Sequence, residues 1–285
     1  MGSPYLLPLG NVQIAFSLGR SSAKMLFDIL EANGGMPERC KVITTNTGRE
    51  LQESLDFGQN VSEKWGVPIT LLEYCNVKAG NFLEPSFKQV TWETADKTGK
   101  PFVDLLEYHA QKRTSYVPNC AASFCSHDLK TRTAKRYCIE VLGWEHWTTA
   151  IGIRHDEKSR IQKKQPRERW RVWYPLNDAK VSKRDVSAFW RRQGFDLRLE
   201  NIRGVTPRGN CDGCFKKSEW KRAALARDHP DRAAWWSDME ARFGGTFNDG
   251  QSWAELIDFV ERQGDWIFDE NNDALCQADG GECVG

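Results

Sequence analysis

The stretch that decides the fold is VQIAFSLGRSSAKMLFDIL, which spans residues 12–30. Its first five residues form a short apolar run that predicts a β-strand, and an amphipathic helical pattern follows over residues 21–33. Between them lies the small-residue loop Ser17-Leu18-Gly19-Arg20-Ser21-Ser22. Such a loop presents free backbone N–H groups and the positive end of a helix dipole to an anion. An ordinary strand-to-helix turn has the same appearance, and the loop lacks both the Walker spacing and the glycines of a dinucleotide fingerprint.

The following residues repeat the alternation of strand and helix. Strands are predicted at residues 41–45 and 68–74, with a helix at 51–65 between them. The loop before that helix is Asn46-Thr47-Gly48-Arg49-Glu50. Helical crossovers of this length join parallel strands, and ligands bind beyond the carboxyl ends of such strands. We therefore predict an α/β fold, a parallel sheet flanked by helices, whose two loops face one crevice.

The rest of the chain is less regular, and two units are expected. Residues 1–214 should form an α/β domain that carries both loops, and residues 215–285 a helical region that ends in a cysteine-containing tail. Further elements are predicted as follows: helices at 104–113, 129–142 and 182–194, a strand at 147–153, a short strand at 172–176, and mostly helix over 215–264.

Composition limits the function classes. The chain has 285 residues, of which 40% are hydrophobic and 28% charged, as in a soluble globular protein. No apolar stretch approaches the length of a membrane span and no secretory signal is visible, so we expect a cytoplasmic protein. The nine cysteines then indicate reduced thiols, a metal site or redox chemistry rather than a disulfide framework.

Positive charge is concentrated in one segment. The whole chain carries a net charge of +1, but residues 158–222 hold 19 Lys and Arg against 7 Asp and Glu. Within them, residues 167–174 interleave cations with aromatic rings, which suits phosphates and stacked bases. We expect a nucleic acid or a phosphorylated ligand there. Two plainer interpretations are also open. The basic segment is then a solvated surface, and Trp173 and Tyr174 are core strand residues.

Two close cysteine pairs suggest a metal site. Cys120 and Cys125 form the first pair, and Cys211 and Cys214 form the second. Four thiolates suit a [4Fe–4S] cluster or a structural zinc ion, and plain buried thiols are the remaining alternative. His127 is an alternative ligand.

Six segments, taken in order, resemble the motifs of the phosphoadenosine-phosphosulfate (PAPS) reductase family of the PP-loop, or adenine nucleotide alpha-hydrolase-like, superfamily. These segments are residues 17–22, residues 45–50, Phe124-Cys125 with Leu129-Lys130, residues 150–154, residues 174–176 with Val186 and Trp190, and Asn210-Cys211-Asp212-Gly213-Cys214.

The resemblance implies an adenine nucleotide, either ATP or a sulfonucleotide (PAPS or adenylylsulfate, APS), with Mg²⁺ as a further ligand. It points to these nucleotide-binding residues: Ser17, Gly19, Arg20, Ser21, Ser22, Thr47, Gly48, Gly152 and Arg154. It also implies a [4Fe–4S] cluster on Cys125, Cys211 and Cys214. In the relatives the first cysteine pair is adjacent, whereas Ser126 follows Cys125 here, so Cys120 is inferred as the fourth ligand from proximity. Lys130 and Cys283 are the catalytic candidates.

The chain also departs from the family pattern. Leu18 replaces a loop glycine, and Ser21 replaces an aspartate that ATP-cleaving relatives link to metal and pyrophosphate. The tail carries Glu282-Cys283, which resembles the mobile Glu-Cys-Gly tail of the reductases, but Val284 follows. An incidental terminal thiol is the plainer interpretation.

Three functions remain open at this point. The first is ATP-dependent adenylation or sulfur transfer near an Fe–S site, with nucleic acid as a candidate substrate. The second is a sulfonucleotide reductase in which the Cys283 thiolate attacks sulfur and sulfite is later released. The third is a non-catalytic nucleotide-binding module of a phage, plasmid or CRISPR-associated assembly.

Overall fold

The architecture is a six-stranded sheet with helices on both faces, seen in a computed structural model that describes residues 2–112, 116–162, 164–165, 167–202 and 204–263. The strands are β1 (Asn11–Ala15), β2 (Cys40–Asn46), β3 (Ile69–Ala79), β4 (Phe82–Val90), β5 (Trp147–Ile151) and β6 (Trp170–Trp173). They lie in the order β4-β3-β2-β1-β5-β6, and β3 with β4 is the antiparallel pair among otherwise parallel neighbours. The predicted α/β fold with a mainly parallel sheet is confirmed.

The helices follow the strands in the order that the sequence predicts. They are α1 (Arg20–Asn33), α2 (Gln52–Trp65), α3 (Lys100–Ala110), α4 (Phe124–Ser126), α5 (Thr133–Glu140), α6 (Pro175–Asp178), α7 (Lys183–Trp190), α8 (Glu219–Asp228), α9 (Pro230–Phe243) and α10 (Trp253–Gln263). A π-helical stretch (His127–Arg132) joins α4 to α5, and a 3₁₀ helix (His155–Arg160) follows β5. Within the described residues, none of these helices is both long enough and apolar enough to cross a bilayer.

Both faces of the sheet are buried. Alternate side chains of each strand point to opposite faces, and apolar side chains on each face pack against helices. Val12 and Ile14 of β1 are fully buried and pack with Leu26 and Ile29 of α1. Their neighbours Gln13 and Ala15 point to the opposite face. On that face, a second apolar cluster joins the sheet to α5 and is formed by Ile43, Leu72, Ala134, Tyr137, Cys138, Trp144 and Trp147.

The C-terminal region is helical, as predicted. Helices α8, α9 and α10 pack on one another, and α9 also contacts α3. Their shared core includes Phe102, Trp236 and Trp253. The division of the chain into two domains at residue 214 stays a prediction.

One hairpin was not predicted. The sequence shows no regular pattern after residue 75, yet β3 extends to Ala79 and pairs with β4. Strand β4 contains Pro85 and lies at the edge of the sheet. Proline lacks a backbone N–H, and an edge strand tolerates this because no further strand pairs with its outer side.

The strand order also locates a crevice. From β1 the chain adds β2, β3 and β4 on one side, and later adds β5 and β6 on the other. The boundary between β1 and β5 is therefore the switch point at which parallel α/β sheets bind ligands beyond the carboxyl ends of the strands.

Candidate functional site

A pocket of about 310 Å³ lies at the switch point. Ser17 and Ser22, from the loop between β1 and α1, line it together with Gly152 at the end of β5. The pocket continues along the sheet face beneath α5. Its volume falls at the lower end of the range for small-molecule and cofactor sites, about 300–1,000 Å³.

The loop after β1 is closed by its own hydroxyl groups. The Ser22 hydroxyl accepts a hydrogen bond from the Ser17 amide at 3.2 Å and donates to the Gly19 carbonyl at 3.0 Å. A Cβ atom on Gly152 would lie 2.9 Å from the Ser22 Cα atom, so the glycine permits the close approach of β5 to the start of α1. This places the N-terminus of α1, a preferred site for anions, at the pocket.

The leucine in this loop keeps a glycine-like backbone. Leu18 has a φ of 60°, in the left-handed region that favours glycine. Its side chain is buried against α2, where a Cβ atom on Gly58 would meet the Leu18 Cδ2 atom at 2.6 Å. The buried side chain of Leu18 is thus accommodated by a glycine in α2.

Two predicted arginines lie beside the loop and do not line the pocket. The Arg20 guanidinium donates to Asp196 and Thr206, each at 2.8 Å, so it fixes the segment after α7 to the start of α1. Arg154 is buried; its Nη1 atom donates to the Ser21 hydroxyl at 3.0 Å and its Nε atom to Asp156 at 2.9 Å. Arg154 also pairs with the Glu157 carboxylate at 3.3 Å, so two carboxylates offset its charge, and its bond to Ser21 fixes the start of α1.

The second predicted loop faces a different site. Thr47 donates to the Glu50 carboxylate through both its amide and its hydroxyl, each at 2.8 Å, and its Oγ1 atom lies 3.1 Å from the Cys211 Sγ atom. Gly48, with a φ of 77°, packs against the turn at Asp96, whose Oδ1 atom would lie 2.5 Å from an added Cβ. Neither residue lines the pocket at β1 and β5.

Three cysteines share a small cavity. Cys125, Cys211 and Cys214 line it, together with Thr47 and Lys130. We call it the thiol cavity. Cys120 is exposed and does not line it.

The two residues between Cys211 and Cys214 hold the loop in place. Asp212 is buried and accepts hydrogen bonds from Arg49 Nη2 at 2.8 Å, from Trp236 Nε1 at 2.9 Å, and from Arg232. Gly213 lies directly on Trp236, because an added Cβ would be 2.2 Å from the indole nitrogen. The two flanking cysteines are held in place by these contacts.

Charges of both signs surround the thiol cavity and act on the pKa of Cys211 in opposite directions. Burial raises the pKa of the Cys211 thiol and the Glu50 carboxylate raises it further, whereas the Lys130 ammonium and the Thr47 hydroxyl lower it. A second cation, Lys217, is buried next to the loop and donates to the Asp212 carbonyl at 3.0 Å. Burial lowers the pKa of Lys217, against the opposing charges of Cys214 and Asp212.

Two buried polar side chains of the thiol cavity lack protein partners. Asn210 and Ser126 are each 7% exposed, and neither the Asn210 amide nor the Ser126 hydroxyl has a hydrogen-bond partner among the described residues. Both line the thiol cavity. Buried polar groups are nearly always paired, so their positions fit a bound group with polar or anionic surface.

The described residues form no assembled site for a metal ion. Within the described ranges, no three His, Cys, Asp or Glu side chains come together in a way that could hold one metal ion. A zinc ion needs four ligands at about 2.0–2.3 Å from one point. The thiolates of an iron–sulfur cubane each bind a different iron, and thus stand further apart.

Lys130 lines both the pocket and the thiol cavity. It lies in the π-helical stretch, an irregularity that is frequent at functional sites. The stretch is anchored by Asp128, which accepts from His109 Nε2 at 2.9 Å and Arg132 Nη1 at 3.0 Å. The Thr133 hydroxyl bonds the Asp128 carbonyl at 2.9 Å. His127 lines the pocket rather than the thiol cavity.

The basic and aromatic segment contributes to the pocket wall. Trp170 stacks on Trp147 with ring centroids 5.5 Å apart, and both rings line the pocket. Tyr174 is buried, as the core interpretation predicts, whereas Arg167 and Arg169 are exposed.

Several residues of these sites carry no strong sequence signal. Gln13 is the one that the sequence could have revealed, because it is polar within the otherwise apolar β1. Asn210 and Lys217 resemble ordinary loop residues. The predicted Cys283, like Cys276 and Lys163, lies outside the described residues.

The chain is similar to two known proteins. It is 31% identical over 222 residues to the uncharacterized nin region protein ORF290 of Escherichia phage lambda, a match that covers 75% of this chain and 69% of that protein. Among solved structures it is similar to the U34-tRNA thiolase NcsA from Methanococcus maripaludis with its [4Fe-4S] cluster. That match has a TM-score of 0.39 and 14% identity, and it covers 88% of this chain and 80% of the thiolase. No protein-family model matches the chain.

Proposed function

This chain belongs to the family of the uncharacterized nin region protein ORF290 of Escherichia phage lambda, and we propose that it is a PAPS-reductase-like PP-loop protein that transfers sulfur with the help of an adenine nucleotide. The observation that carries the proposal is the position of Lys130, which lines both the pocket and the thiol cavity. A reaction that needs an activated phosphate ester and a thiolate-bound sulfur source requires two such sites with a common wall.

The pocket is the proposed adenine-nucleotide site. The loop at Ser17 and Ser22 and the N-terminus of α1 would hold the phosphates, and Arg154, which is paired with Asp156 and Glu157, would position Ser21 beside them. The largely apolar part of the pocket beside Trp147 and Trp170 suits the base. Ser21 takes the place of the aspartate found in ATP-cleaving relatives. A bound Mg²⁺ would therefore be coordinated chiefly by the phosphates of the nucleotide rather than by protein side chains.

The thiol cavity is the proposed Fe–S site. Cys125, Cys211 and Cys214 would hold the cluster, and Lys130 and Lys217 would offset its negative charge. When bound, a [4Fe–4S] cluster would supply an iron to which the transferred sulfur can attach. Cys120, the fourth ligand that the sequence predicts, is exposed and does not line the cavity. With Cys125, Cys211 and Cys214 as the three protein ligands, the fourth iron would be the one left for sulfur.

Sulfur transfer then has a balanced chemical route. An acceptor oxygen attacks the α-phosphorus of ATP, and pyrophosphate leaves. A sulfur nucleophile next attacks the adenylated carbon, the C–O bond breaks, and AMP leaves with the oxygen. The Lys130 ammonium would stabilise the negative charge that develops on the phosphate and on the leaving AMP.

The acceptor is proposed to be a nucleic acid. Arg167, Arg169 and Arg171 are exposed, and in the sequence they flank Trp170, whose ring lines the pocket. Cations beside an aromatic wall suit a backbone phosphate and an unstacked base.

Product analysis tests the proposal. Anaerobically purified protein is incubated with ATP, sulfide as the sulfur donor, and bulk tRNA or plasmid DNA, and separately with PAPS and APS. We expect AMP and pyrophosphate whose formation depends on the nucleic acid, and loss of both products in Lys130→Met. Sulfite release that is abolished by Cys283→Ser would instead identify a sulfonucleotide reductase.

One observation favours a second candidate, a non-catalytic nucleotide-binding module. The Ser21 hydroxyl is bonded to Arg154, and residue 21 offers no carboxylate for a metal ion. Such a module would bind ATP and yield neither AMP nor sulfite. The kinship with a phage protein is compatible with this alternative.

A further inference from the structure

A glutamine lies in the floor of the pocket. Gln13 is the middle residue of β1, is 7% exposed, and lines the pocket beneath α5. No motif in the sequence assigns it a role. Its neighbours along the floor include the apolar side chains of Ala15 and Ile43 and the polar side chain of Thr149.

The orientation of this amide is fixed by its neighbours. The Oε1 atom accepts hydrogen bonds from Trp147 Nε1 and from the Thr149 hydroxyl, both at 3.2 Å. Cys138 Sγ also donates to it, at 3.9 Å. An indole nitrogen is a donor only, so it must face the amide oxygen. Consequently the Nε2 amino group points away from Trp147, and within the described part of the chain it donates to no protein acceptor.

The position of Gln13 matches the length of a nucleotide. A strand rises about 3.3 Å per residue, so Gln13 lies about 13 Å along β1 from Ser17. A nucleoside monophosphate extends over a comparable length from its phosphate to the far edge of a purine. With a phosphate at Ser17 and Ser22, that edge reaches Gln13, whereas a pyrimidine would fall short.

We propose that Gln13 is a specificity-determining residue that reads the base of a purine nucleotide, with its Nε2 group donating to a ring nitrogen. The inference rests on the proposed function only in that a nucleotide occupies this pocket. It requires neither the cluster nor catalysis. A ring nitrogen accepts this hydrogen bond, and a C–H group at the same position leaves the buried amide unpaired.

Calorimetric titration with ATP and its 1-deaza, 3-deaza and 7-deaza analogues tests this assignment. We expect the wild-type protein to bind one analogue about 10-fold more weakly than ATP, as the loss of one buried hydrogen bond implies. Gln13→Met should weaken ATP binding by a similar factor and leave the affinity for that analogue unchanged. In this variant Trp147 Nε1 keeps Thr149 Oγ1 as a partner, at 3.1 Å.

The outcomes separate the two proposals. If all three analogues bind the wild-type protein as tightly as ATP does, Gln13 does not read the ring, and the proposed function stands. The same holds if Gln13→Met, with unchanged thermal stability, binds ATP like the wild type. If the wild-type protein binds no ATP at all, the nucleotide site itself is wrong and both proposals fail. The analogue series on wild-type protein needs no variant to fold.

Discussion

At the scale of single residues, Leu18 combines an unfavourable backbone conformation with a well-buried side chain. Its φ of 60° costs about 1 kcal/mol relative to glycine, whereas truncating a buried leucine costs about 2–5 kcal/mol. The packing term is the larger. Leu18 is therefore a stabilising feature of this chain.

Replacing Leu18 with glycine should lower the free energy of unfolding by about 2 kcal/mol. Lys180→Gly is the matched control, because Lys180 has a φ of 56° and an exposed side chain. That change should leave stability unchanged or slightly higher. Urea unfolding of both variants measures the difference, and a Leu18→Gly protein as stable as the wild type would contradict the importance of this packing.

At the scale of elements, the loop with Cys211 and Cys214 is tied to its surroundings by one carboxylate. Asp212 is buried and binds Arg49 and Arg232, which come from the loop after β2 and from α9. Removing one partner of a buried ion pair leaves an uncompensated charge, at a cost of about 3–5 kcal/mol.

Asp212→Ala should therefore cost about 3–5 kcal/mol of stability and disrupt metal loading. Asp228 provides the control, since it also pairs with two arginines, Arg208 and Arg227, but near the surface. Asp228→Ala should cost no more than about 1 kcal/mol. Thermal unfolding and iron content are measured for both variants. Equal losses in the two variants would rule out a special role for the buried ion pairs of Asp212.

The π-helical stretch has a pH-dependent anchor. Burial alone would raise the pKa of Asp128, but the hydrogen bond from His109 and the charge of Arg132 hold it below its usual value. A carboxyl group with a depressed pKa in the folded state stabilises the protein above its unfolded pKa, near 3.9. That contribution is lost as the pH falls through the lower folded value.

Asp128→Asn should accordingly destabilise the metal-free protein by about 1–3 kcal/mol at pH 7, and this difference from wild type should shrink below about pH 4. Glu145→Gln, a change at an exposed carboxylate, serves as the control and should show no such difference. Denaturant unfolding between pH 7 and pH 3 measures the effect. A difference that stays constant down to pH 3 would contradict the anchoring role of the ionised carboxylate.

How far the sequence predicted these elements depends on whether the signal is local. Residues 12–30 carry the strand, loop and helix within one stretch, so the first part of the sheet follows from periodicity. Strand β4 depends on pairing with β3, and its own residues show no clean alternation. The interruption of the helix by a π-turn depends on partners such as His109, which no local pattern reveals.

The candidate site divides in the same way. The loops after β1 and β2 are visible as motifs, but the sequence alone assigns both to one nucleotide site. In the structure Thr47 turns toward Cys211 instead, because its hydroxyl is fixed by Glu50. Asn210 lines the thiol cavity and has a φ of 55°. Asparagine tolerates this left-handed conformation, but the residue type alone does not predict it.

At the scale of the whole molecule, the uneven charge should appear as salt-sensitive binding. Lys164, Arg167 and Arg169 are exposed cations within residues 158–222. Neutralising all three with glutamine should weaken nucleic-acid binding and reduce the slope of log affinity against log salt by up to about 3. Titration of a fluorescent oligonucleotide at several salt concentrations gives that slope.

A control with equal charge loss distinguishes a local site from general attraction. Lys78, Lys97 and Lys112 are exposed and lie outside the basic segment. Replacing these three with glutamine should leave the slope close to that of the wild type. Equal reductions in both triple variants would show that net charge alone governs binding.

The central claim is that Cys125, Cys211 and Cys214 together hold an iron–sulfur cluster beside the nucleotide pocket. The most direct test is the iron content and visible spectrum of protein purified anaerobically and reconstituted with iron and sulfide. We predict a brown protein with broad absorption near about 400 nm. Cys211→Ser should lose this absorption, whereas Cys138→Ser, at a buried thiol outside the cavity, should keep it. A colourless wild-type protein without bound iron, or a Cys211→Ser variant with full absorption, would contradict the claim.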